Sequence, residues 1–190
     1  MPYKIGILGL QGAFAKHAQL LNRLGVEVEL IRYAAQFEHC QGIVIPGGES
    51  TTMTKIINEM QLYEKLSNFP GVIFGTCAGA ILLADDLNDP KVRSLKRVPI
   101  QIMRNAYGRQ VDSFISPIQL SFDQEPFKAV FIRAPRFGRI EDHVQVLGTL
   151  NGEPVLVRNS HNLLATFHPE LTDDERIHRY FLRMVAEVSQ

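Results

Sequence analysis

Two cysteines and six histidines are the residues of this 190-residue chain best suited to nucleophilic and proton-transfer chemistry. Cys77 lies in "FGTCAGA" (74–80), where a glycine stands two residues to either side of it after an apolar run. That is the G-x-nucleophile-x-G layout of a nucleophile elbow, a sharp strand-to-helix turn that lifts one side chain to the crest of the bend. Side chains at 75 and 79 would crowd the facing backbone, and glycine removes them. The elbow also aims the sulfur at a helix amino terminus, whose N–H groups favour a thiolate. A buried structural cysteine in an ordinary turn fits the same string, and the sequence leaves both readings open.

A thiol nucleophile needs an imidazole to take its proton and a third group to orient that ring. His168 in "ATFHPE" (165–170) ends the last strand-like segment, and Pro169 enforces an extended backbone there. Residues i and i+2 of an extended segment share a side, so the Glu170 carboxylate can reach the His168 ring and fix its tautomer. His17 and His178 fall within helical patterns and read as surface or packing residues. His39, His143 and His161 fall in loops or at strand edges without an evident carboxylate arrangement. For the oxyanion of an acyl intermediate, the Ala78 N–H is one candidate donor and the glycine loop "PGGES" (46–50) offers another. That loop lacks the lysine of a Walker motif, and "GILGLQG" (6–12) does not match a dinucleotide fingerprint.

The elements that must hold these residues are legible from periodicity. "YKIGILGL" (3–10), "VEVELI" (26–31), "GIVIP" (42–46) and "GVIFG" (71–75) read as strands. Helical patterns follow three of them. Phe14, Ala18, Leu21 and Leu24 share one face, and Met53, Ile56, Ile57 and Met60 share another behind Ser50 and Thr51 as caps. "AGAILLADDL" (78–87) reads as the helix after the elbow. Strands alternating with helices predict an α/β fold with a mostly parallel sheet and helices on both faces. Ligands bind such sheets beyond the strands' carboxyl ends, where the glycine-rich segments 9–12, 46–49 and 75–79 all fall. The second half changes texture, with strand-like segments at 98–104, 113–122, 128–135, 143–150, 153–159 and 162–169 and a hairpin turn at Asn151-Gly152. A final helix carries the stripe Ile177, Tyr180, Phe181, Met184 and Val185, with Thr172 as its cap. No repeat or low-complexity linker interrupts the chain, which reads as one domain, residues 1–190.

Lys plus Arg and Asp plus Glu each number 20, so the formal charge is zero and no nucleic-acid footprint or polybasic membrane arm is present. The apolar start is too short and glycine-broken for a signal peptide or membrane span, and two thiols in a chain this size suit a reducing compartment. A soluble, cytoplasmic protein is expected, and its Cys and His residues lack a zinc-ligand spacing.

Together, PGGES, GTCAG and FHPE resemble the triad-type (class I) glutamine amidotransferases. The longer strings "GLQGAF", "PGGESTTM", "RNAYGRQVDSF", "FIRAP" and "FHPELT", spanning residues 9 to 172, resemble more narrowly the glutaminase-subunit family of two-component pyridoxal 5'-phosphate synthases. The resemblance implies a three-layer, flavodoxin-like α/β sandwich with additional antiparallel strands in the second half. It implies that Cys77 attacks the side-chain amide of L-glutamine, that His168 is the general base and acid, and that Glu170 orients it. Gly47, Gly48 and Glu49 would line the glutamine site, with Gly48 and Ala78 at the oxyanion hole, and Arg104, Ile132 and Arg133 would complete the pocket. Gln11 would couple oxyanion-hole formation to docking of a partner, a (βα)8-barrel synthase subunit that builds pyridoxal 5'-phosphate from ammonia, ribose 5-phosphate and glyceraldehyde 3-phosphate. No metal and no bound cofactor are implied for this chain. Met103 stands where the family more often has a glutamate, and 89–100 lacks the family's usual glycine. Competing readings are the ammonia-supplying subunit of another amidotransferase, a related elbow-cysteine hydrolase, and a non-enzymatic scaffold.

Overall fold

The computed structural model describes residues 3–9, 12–87, 89–104 and 113–189. In chain order its elements are β1 (Lys4–Leu8), α1 (Phe14–Arg23), β2 (Glu27–Ile31), a 3-10 turn (Ala34–Phe37), β3 (Gly42–Ile45), α2 (Ser50–Glu59), α3 (Tyr63–Ser67), β4 (Val72–Thr76) and α4 (Ala78–Leu83). The second half supplies β5 (Ala84–Leu87), β6 (Val98–Met103), β7 (Ser113–Leu120), β8 (Asp123–Ile132), β9 (Arg136–Ile140), β10 (Gln145–Leu150), β11 (Glu153–Arg158), β12 (Asn162–Ala165), a 3-10 turn (Pro169–Leu171) and α5 (Arg176–Val188).

One sheet runs in the order β2-β1-β3-β4-β12-β11-β10-β7-β8, and a smaller one in the order β5-β6-β9. From β2 through β12 neighbouring strands are parallel. From β12 outward they are antiparallel, which gives the expected parallel half and antiparallel half. The inner parallel strands β1, β3 and β4 are apolar on both sides because each side meets a core, whereas the edge strand β2 alternates glutamate with apolar residues. Ile43, Ile45 and Ile73 pack with Met53 and Ile57 of α2 and Ile81 of α4. Val44, Val72 and Phe74 point the other way, to Leu21 of α1 and to Ile177, Phe181 and Val185 of α5. This double burial is why the sequence reads there as continuous apolar runs. The parallel strands β1, β3, β4 and β12 share a direction, so the segments after them meet at one edge of the sheet, where the reactive residues lie.

Several elements differ from the sequence reading. Helix α2 is capped by Glu49, whose carboxylate accepts from the Thr51 and Thr52 N–H groups, rather than by Ser50 or Thr51. Helix α4 stops at Leu83, and 84–87 leave as β5 to pair with β6; tertiary pairing overrides the helical pattern of AGAILLADDL. Thr172 does not cap α5, which starts at Arg176; its hydroxyl instead bonds Pro169 O. Strand β9 lies between the strand-like segments 128–135 and 143–150, where no strand was expected, and pairs with β6 through Ile100 and Ile140. The Asn151-Gly152 turn is as expected: both residues have positive φ, 51° and 85°, and join β10 to β11.

Candidate active site

Cys77 connects β4 to α4 with φ 49° and ψ −104°, a conformation that costs a non-glycine residue about 1–3 kcal/mol. Its surroundings hold it there: Cys77 N donates to Ala165 O at 2.8 Å, and Ile81 N donates to Cys77 O at 3.2 Å. The flanking glycines are needed for the reason the sequence suggested. A Cβ on Gly75 would collide with the Gly79 backbone, and one on Gly79 with the carbonyl of Ile45. The Cys77 thiol is not sealed in the core, because it lines a cleft of about 410 Å³ at the carboxyl edge of the sheet. Its Sγ lies 3.8 Å from Ile132 O.

His168 lines the same cleft as Cys77, close enough for the Cys77 thiolate to raise the pKa of its ring. Its Nδ1 lies 2.7 Å from Glu170 Oε1. The two residues come together by a different route from the one expected. The backbone at 169–171 is a 3-10 turn with Pro169 at its start, and His168 sits just before it at φ −110°, ψ 85°. A tight turn, rather than an extended strand, folds the carboxylate back beneath the ring. The ring is fixed from two further sides: His168 N donates to Val130 O at 2.8 Å, and Gly47 packs so close that it has no room for a Cβ.

Electrostatics follow from this burial. Desolvation alone would lower the His168 pKa, but hydrogen bonds to Cys77 and Glu170 and the adjacent negative charge outweigh it and raise it to about 10. Desolvation alone would raise the Glu170 carboxyl, yet His17 and His168 on its two oxygens hold it below the ordinary carboxylate value. Glu170 is 2% exposed, so it can act on substrate only through His168.

The residues expected to bind glutamine do converge. Gly47, Gly48, Glu49, Arg104, Ile132 and Arg133 line the cleft with Cys77 and His168, and the volume lies in the range of small-molecule sites. Ala78 follows Cys77 at the first position of α4 and is buried. Glu49 is committed to its own helix: the Thr51 and Thr52 hydroxyls and N–H groups all donate to its carboxylate, and these bonds lower its pKa to about 2. Arg104 NH2 lies 3.2 Å from Glu49 Oε1, and NH1 pairs with Asp89, so this guanidinium clamps the loop before β6 to the start of α2. Arg133 turns the chain at the end of β8 with φ 42°, a second strained backbone beside the cleft. Gln11 lies outside the described residues.

Two site features escaped the sequence reading. Ser50 lines the cleft with a buried hydroxyl that has no hydrogen-bond partner. His17 and His178, read as surface or packing residues, are fully buried, and His17 reaches Glu170. Their spacing carried the signal. His17 falls with Phe14, Ala18 and Leu21 on the inward face of α1, and His178 with Phe181 and Val185 on that of α5.

No described helix is long and apolar enough to cross a membrane. A solved structure titled a glutamine amidotransferase superposes with a TM-score of 0.88 at 41% identity, over 96% of this chain and 98% of that one. A glutamine amidotransferase of Thermotoga maritima, 11% identical, shares the fold alone, with a TM-score of 0.62 over 100% of both chains. A protein of Thermosipho africanus described as pyridoxal 5'-phosphate synthase subunit PdxT is 48% identical over 97% of this chain and 100% of its own length. The profile of the SNO glutamine amidotransferase family matches residues 7–187. That span takes in the elbow, the glycine loop and the His-Pro-Glu turn, and the chain belongs to this family.

Proposed function

We propose that this chain, acting as a single domain, hydrolyses L-glutamine to L-glutamate and ammonia as the glutaminase subunit of a pyridoxal 5'-phosphate synthase. The observation that carries the reading is the strained Cys77 opening onto the same cleft as His168, whose Nδ1 is held by buried Glu170.

The side-chain carbonyl carbon of glutamine is attacked by Cys77 Sγ as a thiolate, its proton already held by His168, whose raised pKa favours that ion pair. The new C–S bond gives a tetrahedral oxyanion, met by N–H groups of the Gly47-Gly48 loop and of Ala78. His168 returns its proton to the amide nitrogen, the C–N bond breaks, and ammonia leaves a γ-glutamyl thioester. Water then attacks the thioester as His168 takes its proton, and the C–S bond breaks to release glutamate and restore the thiol. Glu170 keeps Nδ1 protonated and Nε2 aimed at the reacting atoms throughout. Arg133 offers a cation to the α-carboxylate of glutamine and the Ile132 carbonyl suits its ammonium, while Arg104 and Glu49, paired with each other, shape the wall of the cleft between them.

Ammonia released into water is largely protonated and lost, so the product calls for direct delivery. The relatives described as pyridoxal 5'-phosphate synthase subunits support a synthase subunit as the acceptor, and the family resemblance implies that it is a (βα)8 barrel. The test is glutamate formation by the purified chain with and without the synthase subunit. Activity should be low alone and rise on adding the partner, as expected for a Gly47-Gly48 loop that the partner biases toward the hole-forming state. Cys77→Ala should abolish turnover in both conditions; measurable turnover in that variant removes Cys77 from the nucleophile role.

A further inference from the structure

Behind the Cys77–His168–Glu170 chain the polar contacts continue into the apolar core. Glu170 Oε2, the carboxylate oxygen turned away from His168, has no in-line hydrogen-bond partner. The polar nitrogen facing it is His17 Nε2 from α1, at 3.3 Å. The same nitrogen makes an in-line contact with Thr76 Oγ1 at 3.3 Å, at the end of β4 next to Cys77. On its other side His17 Nδ1 lies 2.9 Å from His178 Nε2 of α5. All of these side chains are buried, and Phe74 packs edge-on against both histidine rings.

The geometry selects one arrangement of protons. Burial lowers the pKa of both His17 and His178, so both rings are neutral and each carries one N–H. If His17 carried its proton on Nδ1, its Nε2 lone pair would face the Glu170 carboxylate, and His178 would bury a Nδ1–H with no acceptor. With the proton on Nε2, His17 turns a donor toward Thr76 and Glu170, and His178 Nε2–H donates to His17 Nδ1. The two atoms then left without an in-line partner, His178 Nδ1 and the outer oxygen of Glu170, are both acceptors, and no buried donor is stranded.

We infer that His17 is a positioning residue of the glutaminase reaction, its Nε2–H facing the outer oxygen of Glu170 so that the inner oxygen stays ionised and aimed at His168, and that His178 sets the tautomer in which His17 does this. The inference rests on the triad proposed above. The groups that face this cluster come from four elements: His17 from α1, Thr76 and Cys77 from the end of β4, His168 and Glu170 after β12, and His178 from α5, with the Arg23 charge acting on His178.

The test compares kcat, KM and the pH profile of kcat/KM for variants assayed with the synthase subunit, together with the pH dependence of Cys77 alkylation by iodoacetamide. His17→Phe keeps the ring volume and removes the N–H. Glu170 then holds its proton to higher pH, so the acid limb should move up by about one pH unit, with kcat down about tenfold and KM unchanged. His17→Gln offers an amide N–H near the lost Nε2–H and should recover most of the rate and the original limb. His178→Phe should lower kcat by a smaller factor, and His17→Gln/His178→Phe should be no worse than His17→Gln, because His178 acts only through His17. A merely structural role would lower thermal stability without moving the acid limb. If His17→Phe does not fold, His178→Phe and the double variant carry the test, and an additive double variant overturns the inference. An unshifted limb in a folded His17→Phe enzyme also overturns it, whereas turnover by Cys77→Ala would instead overturn the triad beneath it.

Discussion

Replacing Gly47 by alanine probes the site through one methyl group. Gly47 is buried, and its backbone is not in the left-handed region that penalises alanine, so the whole effect comes from where the Cβ goes. An ideal Cβ there would overlap His168 Cε1 and stand 3.0 Å from Nδ1 and 3.3 Å from Nε2. Carbon atoms in contact settle at roughly 3.5–4.0 Å, so the ring must retreat by about 1 Å or the glycine loop must back away by as much. The ring has little freedom to yield, because Nδ1 is 2.7 Å from Glu170 and the backbone N–H is tied to Val130 O. A misplacement of about 1 Å costs on the order of 10²-fold in rate, and overpacking costs about 1–3 kcal/mol of stability. Gly47→Ala should therefore fold, melt a few degrees lower, and lose about 10²-fold in kcat for glutamate formation with the synthase subunit present. Its Cys77 should still be alkylated by iodoacetamide, since the cleft remains open. Activity within twofold of the parent protein would refute the reasoning, because it would mean that the ring position seen here is not the catalytic one.

Glu170→Gln should lower kcat by roughly 10²- to 10⁴-fold, because an amide can present N–H to His168 Nδ1 and invert its tautomer. KM should not change, since Glu170 does not line the cleft, and a variant altered mainly in KM would contradict this. Glu49→Ala removes the cap of α2 and should cost about 1 kcal/mol at neutral pH, or about 2–4 °C in Tm for a chain of this size. The Glu49 pKa is lowered by folding from about 4.5 to about 2. Its stabilisation is therefore complete above pH 4.5 and lost as pH falls toward 2, so the Tm gap between parent and variant should close over that interval. A gap that persists at the acid end would mean that the carboxylate charge is not what caps the helix.

The parallel half of the fold was legible because its strands are buried on both faces and its helices carry wide apolar stripes, signals that survive in a single sequence. The elbow was legible for a local reason: Gly75 and Gly79 are required within five residues of chain, so the constraint is written where it acts. The errors fell where distant contacts decide. Residues 84–87 have a helical pattern but become a strand because β6, many residues later, offers an edge. His168 and Glu170 were paired correctly for an incorrect local reason, since the 3-10 turn at 169–171 brings them together. The role of Arg104 in tying Glu49 to Asp89 is likewise invisible until three separate loops are superposed in space.

His17 and His178 show how such misreadings can be used. On an apolar stripe a histidine is ordinarily counted as a tolerated packing residue, and each taken alone deserves that reading. Their burial is costly all the same, because the cluster leaves Glu170 Oε2 and His178 Nδ1 without in-line partners in an apolar layer. Stability alone would favour apolar residues at both positions, as it would favour a relaxed residue in place of Cys77 at φ 49°. Gln61, Lys96 and Asn151 also have positive φ and the Ser67 hydroxyl is also unpartnered, all away from the cleft, yet the remaining departures gather at one place. The strained cysteine, the strained Arg133, the unpartnered Ser50 hydroxyl and the two orphaned atoms all lie in or directly behind the cleft. Such a concentration of overruled local preferences around one cleft is what a functional centre and its support require. On that ground the histidine pair belongs with the machinery of the site rather than with the packing around it.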